Sequence, residues 1–211
     1  MLQYLLHIDD HIGELILRYG TQTYSILFAI IFAETGLVVT PFLPGDTLLF
    51  FVGLFCHPQQ EGHLSLPLAF VVLMTAAFCG DNVNYLLGRN LGEKLFKNEN
   101  SKILKRSHLE KTQAFFEKHG PKTIMLARFV PVVRTFTPFV AGMGRMPYRT
   151  FLLYSVLGAL CWVGLFLFGG YLLGDIPFIR NNVVATTLAM AVITALPMIL
   201  EVVKARRKGE I

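Results

Sequence analysis

Apolar residues in this chain run in long blocks, not at the period of a half-buried strand or a surface helix. A spanning helix takes ~20 consecutive, mostly apolar residues. Residues 64–88, 148–174 and 183–203 each reach that length. Asp81 lies near the end of the first block, and Pro197 within the third. Two further apolar stretches do not read as simple crossings. Residues 22–55 are too long for one span and contain Glu34, Pro41, Pro44, Gly45 and Asp46. Residues 123–144 contain Arg128, Pro131, Arg134, Pro138 and Gly142. Proline lacks a backbone donor and clashes with the preceding turn. Broken backbone at membrane depth survives only where protein or a wet cavity surrounds it. Both stretches are therefore predicted to be broken, re-entrant hairpins. Residues 1–20 follow another pattern: Leu5, Ile8, Ile12, Leu15 and Tyr19 recur at helical spacing opposite Asp9, Asp10, Glu14 and Arg18. An interfacial amphipathic helix is expected there; a signal peptide would need a basic start and an unbroken apolar core.

Composition agrees with a membrane protein. Of the 211 residues, 54% are hydrophobic and 16% charged, against about 25% charged in soluble domains. A soluble enzyme is thereby disfavoured. The net charge of +5 matters through its placement. Residues 89–122 carry nine Lys/Arg and four Glu, and the tail adds Lys204, Arg206, Arg207 and Lys208. Residues 1–63 hold six acids and one base, Arg18. The positive-inside rule then places the 89–122 loop and the C-terminus in the cytoplasm. These charges are read as a topology signal and not as a nucleic-acid site. Within the loop, Ser107 with Glu110 forms a capping box and Gly120-Pro121 a stop, predicting a helix over 108–119. Cys56, Cys79 and Cys161 show no metal or redox spacing and read as small apolar residues.

An internal repeat organises these segments. Thr40-Pro41-Phe42-Leu43-Pro44-Gly45 recurs as Thr137-Pro138-Phe139-Val140-Ala141-Gly142, and Tyr85-Leu86-Leu87-Gly88 as Tyr171-Leu172-Leu173-Gly174. With the C-terminus inside, the two halves run in opposite directions through the membrane. The expected architecture is all-α, one membrane domain over 1–211. It comprises the amphipathic helix 1–20, repeat 1 over 22–88, the basic loop 89–122, repeat 2 over 123–174 and a C-terminal span over 183–203. Paired Gly/Pro-interrupted segments in inverted halves point to a transporter.

A charge at bilayer depth costs at least ~2.5–3.5 kcal/mol on insertion scales and is a functional candidate for that reason. Arg128 and Arg134 are six residues apart, with Pro131 between them to allow convergence. Two planar guanidiniums suit a phosphate group. Glu34 and Asp46 flank the break at Pro41, Pro44 and Gly45. Burial disfavours the charged form of a carboxylate, so one of the two is placed to carry a coupling proton. The structural alternative is that the four pair, arginine with acid, and pin the hairpins together. Asp81 is a possible accessory: a member of the polar path, a helix-end cap or the partner of Arg89. Met143, Met146 and Trp162 read as packing or lipid-facing residues, and Gly158, Gly169 and Gly170 as small contacts between helices.

The run Phe32-Ala33-Glu34-Thr35-Gly36 through Phe42-Leu43-Pro44-Gly45-Asp46, then Gly80-Asp81 to Gly88-Arg89, resembles the bacterial DedA family. So does Ala127-Arg128-Phe129-Val130-Pro131-Val132-Val133-Arg134, followed by Ala141-Gly142-Met143 and Phe151, Gly158 and Trp162. The family shares a domain with eukaryotic SNARE-associated Golgi proteins. Ser155 departs from the asparagine usual in the family at that position. The resemblance implies translocation of a polyprenyl phosphate or phospholipid across the bacterial inner membrane, tied to the proton-motive force. It implies undecaprenyl phosphate first among substrates, with phosphatidylethanolamine scrambling an alternative. It also implies required roles for the positions of Glu34, Asp46, Arg128 and Arg134.

Three classes of function are weighed against these residues. A lipid flippase uses Arg128 and Arg134 for the headgroup and Glu34 and Asp46 for gating or proton coupling. A proton-coupled exporter of small cations or drugs leaves the paired arginines without a task. An enzyme needs a nucleophile with a base in reach, whereas His7, His11, His57, His63, His108 and His119 lie in loops or polar segments away from the hairpins. With no nucleotide loop and no Cys/His ligand set, neither cofactor nor metal is expected. The expected partners are a lipid phosphate, protons and membrane lipids, with no nucleic acid.

Overall fold

In the computed structural model the structure describes residues 19–36, 45–58, 64–96, 120–129 and 131–176, with positions 179, 185, 186 and 189 beyond them. Every regular element among these residues is helical. After a single 3-10 turn at Gly20–Gln22, the helices are α1 (Thr23–Gly36), α2 (Gly45–Phe55), α3 (Leu66–Phe96), α4 (Lys122–Ala127), α5 (Pro131–Met143) and α6 (Tyr148–Leu173). Two stretches are long and apolar enough to cross a membrane, Leu66–Leu91 and Tyr148–Leu173. The expected helices over 1–20 and 108–119, the C-terminal span over 183–203 and the break at Pro41 and Pro44 fall outside the described residues, or almost wholly so.

Two boundaries differ from the sequence expectation. The first span continues past Gly88 to Phe96, so Asp81 sits in mid-helix. Its place near a helix end was inferred from where the apolar block stops, but polar residues continue a helix readily outside lipid. Pro138 does not interrupt its helix: α5 begins at Pro131, where the missing donor costs nothing, and runs through Pro138 to Met143. A mid-helix proline disturbs the carbonyls of the preceding turn. Side-chain donors serve that turn here. Thr137 Oγ1 bonds Val133 O at 2.7 Å, and Asn84 Nδ2 bonds Thr135 O at 2.7 Å. The helix ends in a Schellman arrangement: Met146 N bonds Ala141 O and Arg145 N bonds Gly142 O, with Arg145 left-handed at φ 54° where glycine is usual.

The chain divides into two compact units, one formed by 1–30, 42–75 and 161–211, the other by 31–41 and 76–160. In the first, α2 is buried from Gly45 to Leu54, as befits a helix apolar on every side. It meets the last half of α6 backbone to backbone. A Cβ on Gly53 would stand 2.0 Å from Leu167 O, and one on Gly170 would stand 1.9 Å from Phe50 O. Small residues at such crossings let helices in lipid approach closely enough to gain dispersion. Phe70 packs on Phe168 and His57 on Tyr171.

The second unit contains the same kind of crossing between α5 and the last half of α3. A Cβ on Gly142 would stand 2.0 Å from Tyr85 O, and one on Gly88 would stand 2.0 Å from Phe139 O. Phe50-Phe51-Val52-Gly53 therefore corresponds to Phe139-Val140-Ala141-Gly142, with Gly170 matching Gly88. The sequence alignment had matched Gly45 with Gly142 and Gly174 with Gly88. Gly174 instead faces Leu54 Cδ1 and carbonyls of its own helix. The contact selects the glycine that faces the neighbouring backbone, which the identity of adjacent apolar letters does not encode.

Candidate functional site

The polar residues of the second unit are organised by one face of α3. Gly80, Asp81, Asn84, Tyr85 and Gly88 recur at spacings of three and four, which align along a helix. Gly80 admits the last turn of α1: a Cβ there would lie 1.9 Å from Thr35 Oγ1, a hydroxyl that donates to Ile31 O at 2.8 Å. Asn84, fully buried, donates both amide hydrogens, to Thr35 O at 3.0 Å and to Thr135 O at 2.7 Å. Thr35 O is one of the terminal carbonyls that a helix leaves without an internal partner. Tyr85 stacks on Phe151 with ring centroids 4.4 Å apart, and its hydroxyl donates to Met146 O at 2.5 Å.

Two buried ion pairs stand on this frame. Arg134 Nη2 donates to Glu34 Oε1, and Glu34 is 1% exposed. These residues immediately precede Thr135 and Thr35, the two carbonyls that Asn84 ties together. One turn back along α3, Asp81 Oδ2 accepts from Arg128 Nη1 at 2.5 Å. Arg128 Nη1 also reaches Ser155 O at 3.2 Å, and Ser155 Oγ donates to the same Asp81 oxygen. Gly158 makes room for the arginine stem, since a Cβ there would lie 3.2 Å from Arg128 Cδ. Two positive and two negative charges are thus taken from solvent in pairs, the condition under which buried charge is tolerated.

Of the residues singled out in the sequence, Glu34, Arg128, Arg134 and Asp81 lie in the second unit and pair as described. Asp46 lies in the first, in the opening turn of α2, where a negative charge complements the helix dipole. It accepts the Trp162 Nε1 hydrogen at 2.8 Å. One expectation is corrected. Asp81 is neither a helix-end cap nor the partner of Arg89, which donates to Tyr85 OH at 3.4 Å; a long-range arginine outcompetes the one two turns along the same helix. Trp162 takes the packing role of its two expected readings: it is 1% exposed and bonded to Asp46. Gly158 is a contact between helices as expected, meeting the α4 backbone, and it accommodates the Arg128 side chain as well.

Asn84 and Ser155 were missed as site residues. Asn84 had one legible signal: an amide one turn from Asp81 in an apolar span must find partners. Among the described residues no three His, Cys, Asp or Glu side chains gather as a metal site. The arrangement can hold an anion, because each guanidinium offers five donors in a planar fork and already rests on an oxyanion.

Comparison with known proteins gives a consistent picture. The VTT domain matches residues 43–172. The chain is 52% identical to Protein DedA of Escherichia coli K12 over 207 residues, covering 98% of this chain and 94% of that protein. It is 37% identical to the membrane protein Rv0364 of Mycobacterium tuberculosis H37Rv over 198 residues, covering 90% and 85%. It is 32% identical to the inner membrane protein YghB of Escherichia coli K12 over 175 residues, covering 82% and 75%. No solved structure matches the chain.

Proposed function

The chain belongs to the DedA family of VTT-domain proteins, and on that footing we propose that it carries a phosphate-bearing lipid across the bacterial inner membrane. Undecaprenyl phosphate, returned to the cytoplasmic face for envelope synthesis, is the first candidate. Arg128 and Arg134 hold the headgroup while the prenyl or acyl tail remains in lipid. Glu34 and Asp46 gate the transition and exchange the protons that link it to the proton-motive force. The two hairpins enter from opposite sides, and the basic segment 89–122 and the C-terminus face the cytoplasm. The protein acts as a transporter and not as an enzyme.

The observation that carries this reading is the pair of arginines buried on carboxylates in a chain with two membrane-length helices. A guanidinium resting on an oxyanion is already shaped for a phosphate oxygen. The repeated glycine crossing supports two related halves, as alternating access requires. Reconstitution into liposomes with labelled undecaprenyl phosphate tests it. Wild-type protein is expected to speed translocation, and Arg128→Ala/Arg134→Ala to abolish the gain. Equal rates for the two proteins would remove the proposal.

A further inference from the structure

We infer that Asp81 and Glu34 are resting counter-ions which a phosphate group displaces together, and that this exchange favours a phosphate monoester over a diester. The inference rests on the reading of Arg128 and Arg134 as the phosphate-binding pair, and it adds Asp81 and Ser155 to that site.

Each arginine has its own acid. Arg134 rests on Glu34 and Arg128 on Asp81, and all four side chains are nine-tenths or more buried. Asn84, one turn from Asp81 on α3, holds the backbone beside Glu34 to the backbone beside Arg134. Both pairs are therefore tied to one face of α3. Asp81 is held by two donors, because the same oxygen receives the Arg128 guanidinium and the Ser155 hydroxyl. Ser155 gives that oxygen a donor which remains in place when Arg128 leaves.

Charge then selects the ligand. When both acids release their arginines, each takes up a proton from water so that no unpaired carboxylate stays buried, and the guanidiniums lose two negative partners. A phosphate monoester carries about −1.5 to −2 at pH 7 and replaces both. A diester phosphate has a single ionisable oxygen and replaces one. Removing either acid beforehand leaves an uncompensated guanidinium in the unliganded protein, which the ligand then neutralises.

Purified protein in detergent is melted alone, with dioleoyl phosphatidic acid (a monoester), with dioleoyl phosphatidylglycerol (a diester) and with inorganic phosphate. Wild-type protein is expected to be stabilised more by phosphatidic acid than by phosphatidylglycerol. Asp81→Asn keeps an acceptor for Arg128 and Ser155. It should melt lower when unliganded, bind phosphatidic acid on the order of tenfold more tightly, and narrow the difference between monoester and diester. If that variant does not purify folded, Ser155→Ala weakens the hold on the same oxygen and should shift affinity in the same direction by a smaller factor. A purely structural Asp81 predicts weaker binding instead, so unchanged or reduced affinity in both variants overturns the exchange. Equal stabilisation of the wild type by monoester and diester overturns the selectivity. A response to inorganic phosphate that Asp81→Asn enlarges supports the exchange and identifies free phosphate as its source. No response of the wild type to any phosphate, with Arg134→Gln behaving alike, removes the underlying reading of the arginines and the exchange with it. A wild-type response that Asp81→Asn leaves unaltered removes only the exchange.

Discussion

Gly169 and Gly170 are neighbours on α6, yet alanine should act oppositely at the two. A Cβ on Gly170 would lie 1.9 Å from Phe50 O and 2.8 Å from Phe50 C, whereas one on Gly169 meets nothing within 4 Å. The atoms it strikes are backbone, so no rotamer change relieves the overlap. Restoring ordinary contact parts α2 from α6 by roughly 1.5 Å, enough to forfeit more than about half of the dispersion well along the crossing. Overpacking of this kind costs about 1–3 kcal/mol, set against at most about 1 kcal/mol gained from alanine's helix propensity. Gly170→Ala should therefore lower Tm by about 2–10 °C, while Gly169→Ala holds or raises it. The assay is thermal unfolding of both variants in the same detergent, followed by circular dichroism. Gly142→Ala should repeat the loss in the other unit, because its Cβ would lie 2.0 Å from Tyr85 O. Equal melting of the Gly169 and Gly170 variants would refute the close crossing.

Glu34→Gln leaves Arg134 buried against a neutral amide and should cost about 3–5 kcal/mol; Glu34→Gln/Arg134→Met should cost less than the two single changes added together. Strict additivity in denaturant melts would contradict the pairing. Asn84→Leu removes the donors that Thr35 O and Thr135 O receive from one amide, at about 0.5–1.5 kcal/mol for each hydrogen bond lost, and a wild-type Tm would disprove the clamp. Burial pushes the Cys56 thiol from 9.0 up to about 12. The thiolate is the nucleophile, so its fraction near neutral pH falls roughly a thousandfold, each unit being a factor of ten. With Cys79 and Cys161 replaced, maleimide labelling at pH 7.5 should proceed only after denaturation, and rapid labelling of the folded protein would contradict it.

Composition alone located the second membrane helix to within a residue, 148–174 expected against Tyr148–Leu173 observed, because a long apolar block bounded by polar residues has few alternatives. Glu34, Arg128 and Arg134 stood out for a related reason: charge in apolar sequence needs a cause. Partner choice was not legible. Arg89 is eight residues from Asp81 and Arg128 is 47, yet Asp81 takes the distant one, since tertiary packing decides which side chains share a buried face. Trp162, Asn84 and Ser155 read as ordinary residues of apolar spans until their hydrogen bonds are seen. Which glycines make the two matching crossings was not legible either, because that depends on which glycine faces the neighbouring helix.

The proposed phosphate site is the pair Arg128 and Arg134. Cryo-electron microscopy of the protein in nanodiscs containing a lipid phosphate monoester tests it most directly. Headgroup density is expected on both guanidiniums, with Asp81 and Glu34 drawn away from them. Headgroup density elsewhere, with both ion pairs intact, would contradict it.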